Sequence, residues 1–499
     1  MAKQLSITTP TRRAVLLGLL ASTATGSFAK APDRSPRPVP RAETLVVVSK
    51  NGARDIAKKA GLSGEVCYVV ADAATGQVLD SRKPLLALPP ASVAKSLTAL
   101  YGLSALGGNY RFSTRLVASG PVVNGRLEGD LYLVGGGDPT LQTDALADLA
   151  RDLKAKGIRE ISGKAYVYGG ALPYQSEIDA DQPVYLGYNP SLSGLNLNYN
   201  RIYFEWAKSA QGYTATMDAR DEKHRPMVGM ATIKTVDRTT PIFTLNSTSR
   251  QDNWTVAEFA LGKKGGRWLP VRRPQFYAAE VFQTIARSYG IKLPKFIASG
   301  HTPAGTVLAE WRSDDLMVML RGMMKYSTNI VAEAVGMTAS QARGNAPKSL
   351  SGSARIMSDW LNQATPAKRV KFIDHSGLGD GSRISASDMT QVLLQSGWDG
   401  PLRALMKDIR LRDSKGRPLK NQQVAVKAKT GTLNFVSALA GYMTAKSGRK
   451  LVFAIFTADL PRRAKVPKSQ RERPLGANAW SNRSRGLQQS LITQWAATL

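Results

Sequence analysis

The sequence predicts one α/β domain, of the α+β type, that is interrupted by a long β-rich insert. Near the N-terminus a hairpin pattern is followed by a helical pattern, and both kinds of pattern return after residue 310. Between residues 112 and 309, short strand patterns separated by Gly, Asn and Pro turns dominate instead. We therefore expect a first part of the domain over 43–111, an insert over 112–309 and a second part over 310–499.

The first part is predicted from two neighbouring patterns. Residues 64–84 contain two strand patterns around a Thr-Gly turn, which is typical of a hairpin. Residues 91–108 form an apolar helical pattern that follows two prolines and ends at two glycines. Ser92 and Lys95 are three positions apart near the start of this pattern, so we expect them to share one face of a helix.

The second part is predicted to contain further helices and a terminal hairpin. Residues 313–336 contain two helical patterns that are broken near Ser327, and residues 385–397 have the pattern of a capped helix. Residues 423–456 form a hairpin pattern, and a last helix over 484–497 is expected to cover the sheet.

The composition excludes several kinds of site. The chain has 499 residues, three histidines and a single cysteine, Cys67, so an intramolecular disulfide and a cysteine-based metal site are excluded. The histidines are scattered without ligand spacing, and we expect no metal, no cofactor and no Ser-His-Asp unit. Cys67 lies in the apolar run EVCYVV, which predicts a buried strand residue.

The N-terminal residues predict export to the periplasm or cell envelope. Residues 1–31 contain paired arginines, a short apolar stretch and then small residues suited to cleavage, which is typical of a signal peptide. Arg12 and Arg13 favour the twin-arginine type, and Sec export is the alternative. Residues 32–42 contain four prolines and are predicted to form an extended linker.

The net charge of +31 predicts attraction to polyanions. Export excludes nucleic acid as the partner and leaves an anionic wall or membrane surface. The densest basic stretch, at 461–474, is interpreted as a solvated loop rather than a dedicated anion site.

Three short motifs carry the chemistry. They are S-x-x-K from Ser92 to Lys95, S-x-N from Ser327 to Asn329, and K-T-G-T beginning at Lys429. A serine hydroxyl is a poor nucleophile until a base removes its proton. We therefore predict Ser92 as the nucleophile and Lys95 as its base. Lys95 can act as a base only if its pKa is lowered, and burial and a second nearby cation both do this.

The remaining motif residues receive roles from the same chemistry. Lys429 is predicted to be the cation that lowers the pKa of Lys95 and attracts a substrate carboxylate. Ser327 is expected to bridge the two lysines and relay a proton to the leaving nitrogen, and Asn329 is expected to hold a substrate amide.

The K-T-G-T segment is also predicted to contact the substrate, through Thr430, Gly431 and Thr432. The two threonine hydroxyls would bind a terminal carboxylate. The backbone N–H groups of Ser92 and Thr432 are candidate donors to the oxyanion of an acyl transfer.

These motifs and their order resemble the class C penicillin-binding proteins of the D-alanyl-D-alanine carboxypeptidase/endopeptidase family. The segments EGDLYLVGGGDPTL, STNIVAEAV, DHSGL and KAKTGTL extend the resemblance over nearly all of the chain after the signal, as does the long gap between Ser92 and Ser327. The resemblance implies a β-lactamase/transpeptidase-like domain, with an antiparallel sheet flanked by helices. It also implies an acyl-enzyme on peptidoglycan stem peptides, removal of the terminal D-Ala, endopeptidase action on cross-links, and acylation by β-lactams.

Two departures and two alternatives accompany this resemblance. Thr328 replaces the family's usual acid in the second motif, and His375 and Asp380 stand in a segment where the family has other residues, which puts local substrate contacts in doubt. The alternatives are a serine β-lactamase and a non-enzymatic protein that binds the cell wall. The long insert disfavours the first, and the intact motifs disfavour the second.

Overall fold

The computed structural model describes residues 52–412, 417–418 and 424–499. The predicted signal peptide at 1–31 and the linker at 32–42 lie outside the described residues. Among the described helices, none combines the length and the apolar character needed to cross a bilayer.

A six-stranded antiparallel sheet forms the centre of the domain. Its first hairpin pairs with a strand from the other end of the chain: Glu65–Asp72 is hydrogen-bonded to Lys450–Ala458. The strands, in spatial order, are Lys407–Asp408, Val426–Leu433, Val436–Thr444, Lys450–Ala458, Glu65–Asp72 and Val78–Arg82. Two distant parts of the sequence thus build one sheet around the insert.

The alternation of side chains in Glu65–Asp72 explains why helices cover both faces of this sheet. Cys67 and Val69 pack in the core that contains residues of the helix Ala94–Leu106. Tyr68 and Val70 pack in a second core, against the C-terminal helix. Cys67 is fully buried, as predicted. A strand buried on both faces needs a continuous apolar run, which is what this segment provides.

The helices of the described residues include those that the sequence predicted, with some different ends. The predicted helix at 484–497 begins earlier and spans Ala477–Thr498. The α-helices are Gly52–Lys59, Ala94–Leu106, Thr143–Ala155, Pro274–Ser288, Leu316–Tyr326, Asn329–Ala342, Leu350–Ala364, Ala386–Ser396, Pro401–Leu405, Leu460–Ala464 and Ala477–Thr498, and the 3₁₀ turns are Ala91–Val93, Asn198–Asn200, Glu258–Ala260 and Lys468–Gln470. The prediction of an α/β domain with an antiparallel sheet flanked by helices is confirmed.

The insert contains smaller sheets. One has five strands, in the order Ile297–Ala298, Ala165–Tyr168, Leu131–Gly135, Ser113–Ala118 and Thr306–Arg312. Three-stranded sheets are formed by Gly212–Asp218, Arg201–Ser209 and Lys264–Pro270, by Ala231–Val236, Asp252–Ala257 and Phe243–Ser247, and by Val122–Val123, Arg126–Leu127 and Glu160–Ile161. A two-stranded sheet in the domain pairs Ile384–Ser385 with Ala87–Leu88.

The insert has a hydrophobic core of its own, drawn from residues between Leu116 and Ala309. Phe112, Leu172 and Leu192 pack instead into the core of the interrupted domain. The strand Thr306–Arg312 continues past the predicted boundary at 309. The domain boundaries themselves stay predictions.

Candidate active site

The three motifs meet at one cavity of about 320 Å³. Ser92 lies in the 3₁₀ turn Ala91–Val93 that precedes the helix Ala94–Leu106. Ser327 and Asn329 lie at the junction of two helices, where Ser327 has a left-handed backbone with φ of 60°. Such a conformation costs a non-glycine residue about 1–2 kcal/mol, so the packing of the two helices must hold the hydroxyl in place.

The turn that carries Ser92 is held between two glycines. A Cβ added to Gly431 would lie 2.6 Å from the Pro90 carbonyl oxygen and 2.9 Å from the backbone nitrogen of Ser92. A Cβ added to Gly377 would lie 2.0 Å from the carbonyl oxygen of Ala91. Any larger residue would push the turn away. Gly431 thus allows the strand to approach the nucleophile, and the next residue, Thr432, lines the same cavity.

Lys95 is fully buried and has three hydrogen-bond partners. Its Nζ lies 3.1 Å from Ser92 Oγ, 2.7 Å from Asn329 Oδ1 and 2.7 Å from the carbonyl oxygen of Ser376. Neither the amide oxygen of Asn329 nor the carbonyl oxygen of Ser376 can donate a proton. When Lys95 is neutral, its two N–H groups can serve these two acceptors, and its lone pair is left for the Ser92 hydroxyl.

The charge on Lys95 is controlled mainly by burial. Burial lowers its pKa to about 8, and the carboxylates of Glu333 and Asp374 oppose this shift. Glu333 accepts hydrogen bonds from the backbone nitrogens of His375 and Ser376, and burial raises the pKa of its carboxyl to about 8. The fraction of molecules with a neutral Lys95 therefore increases as the pH rises through this pKa.

Lys429 is buried beside the S-x-N motif, and its predicted role toward a substrate carboxylate stays a prediction. Its side chain is 1% exposed, and its Nζ lies 3.0 Å from Ser327 Oγ and 2.8 Å from the carbonyl oxygen of Thr430. Burial, and then the charge of Lys95, lower its pKa to about 6. Glu333 and Asp374 raise the pKa of Lys95 and not that of Lys429, so Lys429 loses its proton at a lower pH than Lys95.

One expected contact at the S-x-N motif, the bridge from Ser327 to both lysines, is different, and the predicted contact of Asn329 with a substrate amide stays a prediction. Among the described residues, Ser327 hydrogen-bonds to Lys429 and not to Lys95, so it does not bridge the two lysines. Asn329 spans the cavity wall, since its Oδ1 accepts from Lys95 and its Nδ2 donates to the Tyr188 carbonyl oxygen at 2.8 Å. Tyr188 belongs to the insert, and sequence reasoning did not identify it.

The two threonines of the K-T-G-T motif face different spaces. Thr432 lines the cavity that contains Ser92, whereas Thr430 lines a neighbouring groove of about 990 Å³ along the C-terminal helix. Because they are two positions apart in one strand, Val426–Leu433, their side chains lie on the same face of the sheet, one after the other along the strand. Arg485 lines both spaces, so the cavity and the groove adjoin there.

His375 and Asp380, which the sequence placed in doubt, contact other parts of the protein. The imidazole of His375 is fully buried, with its Nε2 2.8 Å from Ser353 Oγ, and burial lowers its pKa to about 3. The carboxylate of Asp380 pairs at 2.9 Å with Arg463, which lines the cavity. His375 is thus a packing residue rather than a substrate contact.

The stretch at 461–474 is closer to the site than expected. Arg463, Arg471 and Glu472 from this stretch line the cavity of Ser92, which a freely solvated loop would not do. The run of basic residues in this segment is a signal that could have indicated an anion site. The spacing of these residues does not show that the segment lies beside Ser92 in the folded chain. Among the described residues, no group of three or more His, Cys, Asp or Glu side chains could hold a metal ion.

Known proteins are similar to this chain over most of its length. A model of the D-Ala-D-Ala carboxypeptidase 3 (S13) family matches residues 50–475. A D-alanyl-D-alanine carboxypeptidase of an Actinomadura species is 28% identical over 435 residues, which are 80% of this chain and 78% of that protein. The D-alanyl-D-alanine carboxypeptidase DacB of Haemophilus influenzae is 25% identical over 452 residues, covering 84% and 92%. The crystal structure of penicillin binding protein 4 from Haemophilus influenzae has the same fold, with a TM-score of 0.68 at 22% identity over 86% of this chain and 99% of that one.

Proposed function

Because the chain belongs to the D-Ala-D-Ala carboxypeptidase 3 (S13) family, we propose that it is a serine-type carboxypeptidase that removes the terminal D-Ala from peptidoglycan stem peptides. One observation carries the assignment of Ser92 as its nucleophile. Of the three partners of the buried Lys95, only the Ser92 hydroxyl can donate a proton. A neutral Lys95 is therefore oriented to act as the base for Ser92 in acylation.

The acylation step moves one proton and exchanges two bonds. Ser92 Oγ forms a bond to the carbonyl carbon of the penultimate D-Ala, and its proton moves to the lone pair of Lys95. The backbone N–H groups of Ser92 and Thr432 stabilise the oxyanion, and one such donor contributes about 3 kcal/mol. The C–N bond then breaks, and the leaving nitrogen takes up the proton to release D-Ala. We assign this last transfer to Lys95, which holds the proton taken from Ser92 and lies 3.1 Å from Ser92 Oγ.

Deacylation repeats these steps with water as the nucleophile. Lys95 takes a proton from the water, the hydroxide adds to the acyl carbon, and Ser92 recovers its proton as the ester bond breaks. A general base of this kind contributes about 10²–10⁴-fold to the rate. The same acylation step accounts for β-lactams as covalent inhibitors, since their strained amide opens on Ser92 and leaves an ester.

Endopeptidase activity on D-Ala cross-links is part of the proposal. In a cross-link the leaving nitrogen belongs to a second stem peptide instead of a single D-Ala. The groove that adjoins the cavity at Arg485 is about 990 Å³ in volume and gives such a leaving peptide a place to lie. We also propose that the protein is exported to the periplasm or cell envelope, where its strongly basic composition, +31 for the full sequence, favours contact with the anionic wall or membrane surface.

The proposal is tested by D-Ala release from a synthetic pentapeptide that ends in D-Ala–D-Ala. We expect release by the wild-type protein, none from the matched peptide that ends in D-Ala–L-Ala, and none by Ser92→Ala. Mass analysis of purified muropeptides then separates loss of a terminal D-Ala from cleavage of cross-links. No release from the D-Ala–D-Ala peptide or from muropeptides would refute the proposal and favour a wall-binding protein.

The β-lactamase alternative has its own readout. A chromogenic cephalosporin should label the protein stoichiometrically and be turned over slowly. Rapid turnover without D-Ala release would favour a β-lactamase.

A further inference from the structure

Three arginines line the cavity of Ser92, and two of them are already paired with acids. Arg463 Nε lies 2.9 Å from Asp380 Oδ2. Arg471 lies 3.6 Å from Asp181 Oδ1 and also donates to the Asp181 carbonyl oxygen at 2.6 Å. These two guanidinium groups are therefore largely neutralised within the protein.

The third arginine, Arg485, has no such acid. It projects from the C-terminal helix Ala477–Thr498, is exposed, and contacts the neutral Asn482 Oδ1 at 3.3 Å. No acidic side chain forms an ion pair with Arg485 in the part of the chain that the structure describes. A guanidinium has five N–H donors in a planar fork that matches a carboxylate, and most of these donors remain available here.

The position of Arg485 relates it to the leaving side of the substrate. It lines the Ser92 cavity together with Thr432, and it lines the adjoining groove together with Thr430. Thr430 and Thr432 flank Gly431, which lies against the Ser92 turn. A group that leaves the acyl carbon on Ser92 and passes along this strand therefore meets Arg485.

Lys429, the cation of the K-T-G-T motif, has its hydrogen bonds directed to other groups of the protein. The Lys429 side chain is buried, and Ser327 Oγ and the Thr430 carbonyl oxygen already accept hydrogen bonds from its Nζ. It is thus poorly placed to neutralise the carboxylate of a substrate. The residue on the leaving side of the scissile bond carries such a carboxylate. In a stem peptide this residue is the terminal D-Ala, and in a cross-link it is the D-configured centre of the second stem peptide, which supplies the leaving nitrogen.

We propose that Arg485 binds the carboxylate of the residue on the leaving side of the scissile bond, at the point where the cavity opens into the groove. The inference rests on the proposed function and adds to it a specificity residue outside the three motifs. The groove continues past Gln489 and Thr493 of the same helix, whose polar side chains suit the amides of a longer leaving peptide. Arg485 then selects for a carboxylate, while the groove accommodates the rest of the leaving peptide.

The test uses two N-acyl-D-alanyl thioesters that differ in one group. In one the thiol leaving group carries a carboxylate, and in the other it carries a carboxamide. We expect Arg485→Gln to lower kcat/KM for the carboxylate compound by about 10- to 100-fold, the range for a lost hydrogen bond to a charged group. The carboxamide compound should change by less than about twofold, and Arg485→Lys should recover part of the loss.

Arg483→Gln is the matched control, because Arg483 is exposed on the same helix and lines neither space. Its kcat/KM should equal that of the wild type with both compounds. Equal losses with the two compounds in Arg485→Gln, no loss with either, or the same loss in Arg483→Gln would overturn the inference. Wild-type protein that hydrolyses neither thioester would refute the proposed function instead, so the two failures are distinguishable.

Discussion

Replacing Asn329 with aspartate would place a carboxylate where the amide oxygen Oδ1 now lies, 2.7 Å from Lys95 Nζ. The two side chains have nearly the same shape, so the change tests charge rather than packing. Lys95 is fully buried, and its pKa of about 8 results mainly from that burial. A carboxylate partner raises the pKa of a buried lysine, so fewer molecules have the neutral amine that acts as the base at neutral pH.

The contact distance sets the size of the effect. An opposite charge at hydrogen-bond distance shifts the pKa of an ionisable group by about 1–3 units. The pKa of Lys95 should therefore rise from about 8 to between about 9 and about 11 in Asn329→Asp. Acylation needs neutral Lys95, so its rate increases with pH through this pKa. At pH 7 the rate should fall by about 10- to 1,000-fold, with recovery at high pH.

The assay is the acylation rate by one penicillin, measured between about pH 6 and about pH 11. Asn329→Ala is the control, because it also loses the contact to the Tyr188 carbonyl oxygen but adds no charge. It should react more slowly at every pH, with the midpoint of the acid limb still near 8. An Asn329→Asp midpoint that stays near 8 or moves downward would show that Lys95 is not the titrating base.

Three further predictions use matched changes. Lys429→Met should slow acylation but leave the acid limb in place, because the pKa of Lys429, about 6, makes it neutral in that pH range; an upward shift of the limb would refute this order of protonation. Thr432→Val should lower kcat/KM for a D-Ala–D-Ala peptide more than Thr430→Val, since only the first lines the nucleophile's cavity; equal losses would contradict the separation. Gly336→Ala should destabilise the fold by about 1–3 kcal/mol in urea unfolding, because the added Cβ would lie 2.2 Å from a buried imidazole. In the control Gly322→Ala the added Cβ meets nothing within 4 Å, so this change should be neutral or stabilising. Similar unfolding midpoints for the two variants would refute the packing argument.

The motif residues and their assembly were predictable from the sequence because short spacings translate directly into local geometry. The separation of three places Ser92 close to Lys95, although Ser92 lies in the 3₁₀ turn before the helix, and the break near Ser327 was visible as a change of pattern. The sheet was predictable as well, since the apolar runs at both ends of the chain are long enough to be buried strands.

Which of the two lysines has the higher pKa was not predictable, because the difference depends on partners that are distant in the sequence. Glu333 and Asp374 raise the pKa of Lys95, and only the folded chain brings these three residues together. The positions of Arg485 and Tyr188 at the cavity were not predictable for the same reason. Neither belongs to a motif, and each reaches the site from an element whose position depends on the whole fold.

Ser92 should carry the acyl group during turnover, and every other role assigned to the site depends on this. The most direct measurement is to quench the reaction with a penicillin or a D-alanyl thioester in acid, digest the protein and locate the acyl group by mass spectrometry. We predict one acyl group, on the peptide that contains Ser92, and none in Ser92→Ala. An acyl group on Ser327 or Ser376, the other serines beside the two lysines, or undiminished labelling of Ser92→Ala, would contradict the assignment.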